Sequence, residues 1–208
     1  MTTQPQYSDY TVKWVTLPWE REQAYALRQR VFCDEQGLFT GDDLDAIDDH
    51  AQLLVVVGSY GGWHEQVVGT VRIHQDQPGE WCGSRLAVDP EFRRQGQLGA
   101  TLIRLAVSSA CALGCQRFYA HVQQQNEGLF QRLHWQTLQQ EVLRERAHVF
   151  MRAELEHYPP CHDPFSGFVV RGRLARSASE LAPAWLQEIM AAAPVDEATA
   201  REVKHAFA

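Results

Sequence analysis

A glycine-containing segment, EFRRQGQLGATL at 91–102, lies between a short apolar run and a long helical one. A helix that begins soon after a strand presents unpaired backbone N–H groups and the positive end of its dipole. That combination binds pyrophosphate. The segment contains neither G-x-x-x-x-G-K-[ST] nor G-x-G-x-x-G, which argues against a nucleoside-triphosphate loop and a dinucleotide-binding loop. It is either a loop for another phosphate ligand or an ordinary glycine-containing loop with two solvated arginines.

An acidic segment, GDDLDAIDDH at 41–50, is too polar for a helix or strand and is interpreted as a loop. It does not match an EF-hand calcium loop, which would require glycine where the sequence has Asp48. Asp45 and Asp48 are therefore either solvated or placed to attract an amine. Arg72 and Arg85 could bind a substrate carboxylate bidentately, or they could form salt bridges with this acidic loop.

The helices and strands that must position these groups follow from hydrophobic periodicity. Alternating or β-branched apolar runs predict strands, and apolar residues at helical spacing predict helices. The predicted order is β-α-β-β-β-α-β-α-β-β, which indicates an α+β sheet covered by helices. Strands are predicted at 10–15, 52–58, 67–74 and 117–122, in a segment that ends at residue 88, and twice within 141–155. Helices are predicted to begin at Pro18, at Gly99 and after Asn126, which is expected to cap the last one.

The chain of 208 residues is long enough for one domain with an appendage. We place the domain at residues 7–160 and a C-terminal extension at 161–208. The stretch RSASELAP at 176–183 is typical of a linker, and the remainder is interpreted as two short helices interrupted at Pro194.

Composition narrows the function classes. The net charge is −7 without a basic stripe, so nucleic acid is not an expected partner, and a cationic small molecule suits the charge better. No apolar run reaches the ~20 residues of a membrane span, and MTTQPQYSDY lacks signal-peptide features, so we expect a cytoplasmic protein without a membrane partner. Five cysteines without C-x-x-C argue against a disulfide framework. HYPPCHD at 157–163 lacks a second ligand pair, so we expect no metal.

Two segments, RLAVDPEFRRQGQLGATLIRLA and QQQNEGLFQRLHW, resemble motifs A and B of the GCN5-related N-acetyltransferases (GNAT). The resemblance implies the GNAT fold, acetyl-CoA as cosubstrate, and direct attack by the amine of a small molecule on the acetyl group. It also implies that loop amides cradle the pyrophosphate of coenzyme A, that a strand pairs with the pantetheine arm, and that motif B lines the cofactor. The residues implied are Leu86, Ala87 and Val88 for the strand, Arg94, Gln95, Gly96, Gln97, Leu98, Gly99 and Ala100 for the loop, and Asn126 and Phe130 for motif B.

The loop departs from the family pattern at one position. The family runs Arg/Gln-x-x-Gly-x-Gly/Ala, but Gln97 occupies the place of the first glycine and Gly96 lies one place earlier. A glycine at that place would allow close backbone approach and a positive φ angle. The departure therefore puts the affinity for coenzyme A in question, whereas the fold is unaffected.

Acylation of an amine needs a base, because an alkyl amine with a pKa near 10.4 is almost entirely protonated at neutral pH. The run LRQRVFCDEQG at 27–37 resembles one branch of the superfamily, in which this helix end lines the acceptor cleft. Arg28 and Glu35 are therefore candidates on the acceptor side. Glu35 is the first candidate for the base, followed by His74 and then Asp48.

The resemblance assigns the oxyanion to a backbone N–H after Leu86. Many family members use a tyrosine of motif B to protonate the departing thiolate, but the aligned residue here is Phe130, which has no proton to donate. Coenzyme A could leave as the thiolate, or Tyr119 or His121 on the preceding strand could replace the tyrosine. The alternative for His121 is an ordinary half-buried histidine.

Two other functions stay open. The acidic loop and its flanking arginines also resemble acyl-homoserine-lactone synthases, which share the GNAT fold but join S-adenosylmethionine to an acyl chain; an acidic residue of theirs is replaced by Cys82 here. The atypical loop and Phe130 would suit a non-catalytic acyl-CoA-binding protein.

Over residues 7–160 the chain resembles the nitrogen-starvation GNAT family, which is encoded in bacterial nitrilase gene clusters. The protein partner, if there is one, is then either a second copy of the chain, as a homodimer, or a protein encoded in the same gene cluster.

Overall fold

The computed structural model describes residues 7–94 and 97–172. In chain order the helices and strands are β1 (Asp9–Trp14), α1 (Pro18–Arg28), β2 (Gln52–Tyr60), β3 (Trp63–Gln77), β4 (Glu80–Val88), α2 (Leu98–Ala112), β5 (Arg117–Gln123), α3 (Glu127–Arg132), β6 (Trp135–Leu143), β7 (Arg146–Ala153) and β8 (Phe168–Arg171). The strands form one mixed sheet in the order β6-β7-β5-β4-β3-β2-β1-β8. The predicted α+β class is confirmed.

The centre of the sheet is covered on both faces because β2 is apolar at nearly every position. Leu53, Val55 and Val57 pack in a cluster with the apolar residues of α1, whereas Leu54 and Val56 belong to a second cluster that includes α2. Burial of one such side chain stabilises the fold by roughly 1.5–3 kcal/mol. The single strand β2 therefore anchors a helix on each side.

The chain continues directly from α1 into a π-helical segment, Gln29–Glu35. Val31 and Phe32 of this segment are buried against the sheet, and Gln36 closes it with backbone hydrogen bonds to two of its carbonyl groups. π-Helical turns are rare and are often found at functional sites. This one brings the end of the helix to the same side of the sheet as the end of β4.

The parallel strands β4 and β5 separate soon after they pair. Their register runs from Glu80 opposite Arg117 to Gly83 opposite Ala120 and stops there. On its other side β4 has a bulge relative to β3, in which Arg85 adopts a φ of 55°. A bulge bends a strand and redirects its side chains. The carboxyl-terminal halves of β4 and β5 thus diverge, and a cleft opens between them.

Two details differ from the sequence prediction. β6 begins at Trp135, well before the predicted range 141–155, because it is an edge strand with many exposed polar side chains and is stabilised by pairing with β7 rather than by apolar burial. Asn126 stands immediately before α3, but its side chain makes no capping hydrogen bond. The predicted cap is therefore wrong, although the helix is present.

The sheet extends beyond residue 160, where the predicted domain ends, because β8 pairs antiparallel with β1. The predicted linker at 176–183 and the two short helices after it lie outside the described residues. None of the helices in the described part of the chain is both long and apolar enough to cross a membrane.

Candidate active site

The cleft between β4 and β5 opens into a cavity of about 920 Å³. This volume falls in the range of cofactor and small-molecule sites. The cavity is bounded by both strands, the π-helical segment, α2, α3 and the β6–β7 hairpin. The predicted site residues that line it are Glu35, Arg85, Leu86, Ala87, Val88, Leu98, Gly99, Ala100, His121, Asn126 and Phe130.

The predicted residues Gln95 and Gly96 lie outside the described residues, so their contact with pyrophosphate stays a prediction. Other predicted residues lie in the described part of the chain but do not line the cavity. They are Arg28, Asp45, Asp48, Arg72, His74, Arg94 and Gln97.

The N-terminus of α2 borders the cavity. Gln97 precedes the helix with a φ of −94°, and its backbone oxygen accepts a hydrogen bond from the Thr101 N–H at 2.8 Å. The Gln97 side chain is exposed and makes no capping bond, so it leaves the first N–H groups of the helix available. The missing glycine therefore causes no backbone strain at residue 97.

Gly99 leaves space beside this helix N-terminus. A Cβ added at Gly99 would have Val88 Cγ2 as its nearest neighbour, at 3.8 Å, so packing within the protein does not require a glycine here. Both residues line the cavity, and a side chain at position 99 would narrow it. Free N–H groups next to open space fit a pyrophosphate group.

β4 supplies a wall on which an extended ligand can pair. Among the described strands, Arg85 and Leu86 have no register partner on β3, and β5 has already diverged beyond Gly83. Ala87 and Val88 continue this wall towards α2. An unpaired strand edge binds an extended arm by main-chain hydrogen bonds, as pantetheine would require.

α3 contributes to the opposite wall. Phe130 is buried, and its ring meets the Trp135 ring edge-on with 5.0 Å between centroids. Asn126, one turn earlier, also lines the cavity. Phe130 has no hydroxyl group, so this wall supplies no phenolic proton for a departing thiolate.

A buried ion-pair network joins the end of α1 to the acidic loop. Arg28 is fully buried, and it donates to Asp43 Oδ2 at 2.9 Å and to the two carboxylate oxygens of Asp48 at 2.6 and 3.0 Å. Burial raises the pKa of Asp48, but the hydrogen bonds from Arg28 and the Asp45 N–H, together with the charges of Arg28 and Arg72, outweigh it and lower this pKa to about 2. The acidic loop is thus tied to the protein rather than solvated.

Arg72 and Arg85 belong to the same network. Arg72 donates to Asp45 at 2.5 Å and to Asp48 at 2.8 Å, and Arg85 contacts Asp43 at 2.9 Å and Asp45 at 3.0 Å. These contacts occupy the donors that a substrate carboxylate would need. Of the two alternatives for these arginines, salt bridges to the acidic loop are confirmed.

Glu35 lines the cavity at the end of the π-helical segment, where Arg93 binds it bidentately with both N–O distances at 2.6 Å. The hydrogen bonds from Arg93 lower the pKa of Glu35. A carboxylate with a lowered pKa is a poorer base towards an ammonium group. The geometry therefore favours a bridging role between α1 and the loop before α2 over the predicted role as base.

His74 lies on β3, outside the cavity. Burial, followed by the positive charge of Arg72, lowers its pKa. Its Nδ1 is buried and has no hydrogen-bond partner among the described residues. His74 is held in an environment that favours its neutral form, but the fold does not bring it to the place where an amine could meet an acyl group.

His121 lines the cavity on β5 and is paired with a carboxylate. Its Nδ1 is hydrogen-bonded to Glu141 of β6, and its ring packs against Phe150 of β7 with 4.8 Å between centroids and 33° between planes. An ionised carboxylate only accepts hydrogen bonds, so Nδ1 is the donor in this pair, and a neutral imidazole paired in this way carries its lone pair on Nε2. Glu141 was missed by the sequence analysis because its approach to β5 depends on the long-range pairing of both strands with β7, which lies between them.

Two arginines of the β6–β7 hairpin also line the cavity. Arg144 lies over the Phe39 ring at 4.1 Å from its centroid, and Arg146 donates to the Gln36 backbone oxygen at 2.5 Å. Within the described residues, neither arginine forms a salt bridge. Periodicity gives no signal for this pair, because both residues flank a surface turn.

The acetyltransferase (GNAT) family model matches residues 10–135. Similar solved structures include an acyl-CoA N-acyltransferase from Pseudomonas aeruginosa (19% identity, 69% of this chain and 98% of that one, TM-score 0.54). Another is FeeM, an N-acyl amino acid synthase from uncultured soil microbes (11% identity, 72% of this chain and 93% of that one, TM-score 0.55). A third is BjaI, a CoA-dependent acyl-homoserine lactone synthase (16% identity, 76% of this chain and 94% of that one, TM-score 0.60). At these identities the likeness shows a shared fold. No curated protein matches the sequence.

The family match spans more than half of the chain and includes β4, β5 and α2, which form the cavity. The predicted GNAT fold is confirmed. The chain therefore belongs to the acetyltransferase (GNAT) family and is a GNAT-type enzyme.

Proposed function

We propose that this enzyme transfers an acetyl group from acetyl-CoA to the amine of a small molecule by direct attack. The observation that carries the proposal is the position of His121. Its imidazole is oriented by Glu141 and lines the same cavity as the first turn of α2. The proposed base and the helix N-terminus proposed to bind pyrophosphate thus line the same cavity.

The donor would lie along the walls that the family resemblance assigns to it. The N-terminus of α2 would bind the pyrophosphate, with Gly99 leaving room for it, and the free edge of β4 at Leu86 would pair with the pantetheine arm. Asn126 and Phe130 would flank the cofactor from α3. This arrangement would direct the thioester towards the cleft where β4 and β5 diverge.

An acceptor that arrives as an ammonium group loses two protons on becoming an amide, one before its attack and one after it. Neutralising an alkyl ammonium group at pH 7 costs about 4–5 kcal/mol, at 1.36 kcal/mol per pKa unit. Nε2 of His121 takes the first proton, directly or through a water molecule, while Glu141 stabilises the imidazolium. The amine nitrogen then forms a bond to the thioester carbon.

Collapse of the tetrahedral intermediate completes the transfer. A backbone N–H of β4 after Leu86 stabilises the oxyanion. The C–S bond breaks and coenzyme A leaves as a thiolate, which is a good leaving group because thiols titrate near 8.5. The imidazolium of His121 gives its proton to this thiolate, and the second proton of the acceptor nitrogen passes to water, so the base is regenerated without a tyrosine.

The acceptor, in this proposal, carries a carboxylate as well as an amine. Arg72 and Arg85 are already paired with the acidic loop, whereas Arg144 and Arg146 line the cavity without a salt bridge among the described residues. A substrate carboxylate would supply the missing partner. The description of FeeM as an N-acyl amino acid synthase is consistent with such an acceptor.

A second candidate is an enzyme that joins S-adenosylmethionine to an acyl chain. The ion-pair network of Arg28, Arg72 and the acidic loop favours it, because these residues carry the resemblance to acyl-homoserine-lactone synthases. A non-catalytic acyl-CoA-binding protein, the third alternative, is supported by Phe130 but leaves the His121–Glu141 pair without a role.

Two measurements on the purified full-length protein separate these functions. Calorimetric titration with acetyl-CoA tests the donor, and micromolar binding is expected. Thiol release is then measured with amino acids, with amines that lack a carboxylate, and with S-adenosylmethionine. Turnover of amino acids supports the proposal, turnover of S-adenosylmethionine alone selects the second candidate, and binding without any turnover selects the third.

The finer assignments stay predictions. They are the membership in the nitrogen-starvation family, the cytoplasmic location, acetyl transfer without a metal cofactor in the cleft, and a homodimer or a cluster-encoded partner. Light scattering on the eluting protein would test the homodimer.

A further inference from the structure

Three potential metal ligands meet where the edge strand β6 begins and β7 ends. His134 directly precedes β6, Glu154 directly follows β7, and His157 ends the 3-10 turn Leu155–His157. One ligand atom from each of the three residues lies within 4.8 Å of the other two. From the sequence, His157 could be grouped only with its neighbours in HYPPCHD, whereas the fold supplies ligands from elsewhere.

Backbone hydrogen bonds hold these residues in place. The Glu154 N–H donates to the His134 backbone oxygen at 2.9 Å, and the His157 N–H donates to the Glu154 oxygen at 3.1 Å. His134 has a φ of 61°, and its own N–H donates to the Gln131 oxygen at 3.1 Å. The backbone positions of all three residues are therefore set by the fold before any ion binds.

The side chains lie near one another, in an arrangement that metal binding would change. The rings of His134 and His157 stack with 3.7 Å between centroids and 16° between planes, so their nitrogen lone pairs, which lie in the ring planes, are nearly parallel. His157 Nε2 lies 3.7 Å from Glu154 Oε2. Ligands of a tetrahedral zinc ion, each at about 2.0–2.1 Å from the metal, are separated by about 3.3 Å. Both imidazoles are exposed, which leaves room for one of them to rotate out of the stack and bind the same ion as the other.

The carboxylate is oriented from outside the cluster. Gln136 Nε2 donates to Glu154 Oε1 at 2.6 Å, which leaves Oε2 on the side of His157. Glu156 Oε1 also lies 3.6 Å from His157 Nε2, but its side chain is largely exposed. A polar group that fixes the orientation of a ligand is a common feature around protein metal ions.

We propose that His134, Glu154 and His157 form a binding site for a divalent transition metal, with zinc as the preferred ion. Two imidazoles and one carboxylate are a typical zinc ligand set, and three protein ligands leave a position for water. The bound ion would link the start of β6 to the end of β7. It would thereby stabilise the turn that follows α3 at the cavity wall.

The test uses the full-length, untagged protein, because a histidine tag would bind zinc itself. After removal of metals with a chelator, the protein is titrated with zinc chloride by calorimetry. We expect one equivalent to bind and the Tm to rise by about 5–10 °C when free zinc reaches 100 times the Kd. Failure to bind one equivalent would overturn the proposal.

Matched variants locate the ion. His134→Asn retains a residue that tolerates a positive φ, and His157→Gln retains a polar side chain; each should weaken zinc binding by at least about tenfold. His162→Gln, which alters an exposed histidine of the same HYPPCHD segment, should have no effect. Unchanged binding in the first two variants would contradict the site, whether or not either variant is less stable.

The free cysteines of the chain are the other source of zinc ligands. X-ray absorption of the zinc-loaded protein distinguishes them, because zinc–sulfur distances are about 2.3 Å and zinc–nitrogen distances about 2.0–2.1 Å. Nitrogen and oxygen ligands alone support the proposed site. Sulfur in the coordination shell would place the ion elsewhere and overturn it.

Discussion

Two groups of arginines near the cleft differ in their partners. Arg28, Arg72 and Arg85 are neutralised by the acidic loop, whereas Arg144 and Arg146 line the cavity without a salt bridge among the described residues. A guanidinium that is buried and paired orders a loop, and removing its partner leaves an uncompensated charge. An unpaired guanidinium beside a cavity is available to a ligand. We therefore use the state of pairing, rather than the residue type, to separate the structural arginines from those proposed to bind the acceptor.

The largest effect is expected from breaking the paired group. Asp48→Asn removes the carboxylate that Arg28 and Arg72 share, so the free energy of unfolding should fall by about 3–5 kcal/mol. Urea denaturation followed by circular dichroism measures it. Asp49→Asn, a neighbouring exposed residue, is the matched control and should change stability by less than about 0.5 kcal/mol. Equal effects in the two variants would show that the network contributes little.

The next effect concerns the base at the cavity. His121→Ala should lower kcat/KM for the amine by about 10²–10⁴-fold, because the proton acceptor is lost, while the Kd for acetyl-CoA stays unchanged. Glu141→Gln should show a smaller loss in the same direction. Glu35→Gln should cost less than about tenfold, since Glu35 is committed to Arg93. A larger loss in Glu35→Gln than in His121→Ala would restore Glu35 as the base.

Acid should weaken the paired group in a defined window. The folded-state pKa of Asp48 is about 2, below its ordinary value of 3.8, so its contribution is complete above pH ~4 and is lost as the pH falls towards 2. The contribution is about 2 kcal/mol, at 1.36 kcal/mol per unit. Urea denaturation at several pH values between 5 and 2.5 measures it. In Asp48→Asn the decline over this window should be shallower, and an unchanged slope would contradict the assignment.

The unpaired group is tested through the acceptor. Arg144→Gln should raise KM for a carboxylate-bearing acceptor by roughly tenfold, since a hydrogen bond to a charged group contributes about 1.5–3 kcal/mol and is partly exposed here. KM for an amine without a carboxylate is the internal control and should not change. A similar rise for both acceptors would mean that Arg144 shapes the cavity instead of binding the carboxylate.

The smallest effect is expected in the phosphate loop. Gln97 already has an ordinary backbone conformation, so Gln97→Gly should change the Kd for acetyl-CoA by less than about threefold. Calorimetric titration of both proteins measures this difference. If acetyl-CoA bound only to the variant, the Gln97 side chain would be blocking the site, and another donor would have to be considered.

Most of the fold could be predicted because its signals are local. Pro18 at the start of α1, the apolar run of β2 and the periodicity of α2 each depend on residues close in the chain. β6 was placed too late because an edge strand rich in glutamine has little apolar alternation, and β8 was not predicted. Their pairing with β7 and β1 is a long-range property.

The sequence by itself determined the order of the elements from β1 to β7, the helix that we propose binds pyrophosphate, and the presence of charged groups around a cleft. The tertiary structure decided which of those groups pair with one another. Glu35 meets Arg93, and His121 meets Glu141, only because the cleft brings separate elements together. An ion pair depends on distances of a few ångströms between residues far apart in the chain, and periodicity carries no information about such distances. For this reason the fold, and not the sequence, leads to His121 rather than Glu35 as the proposed base.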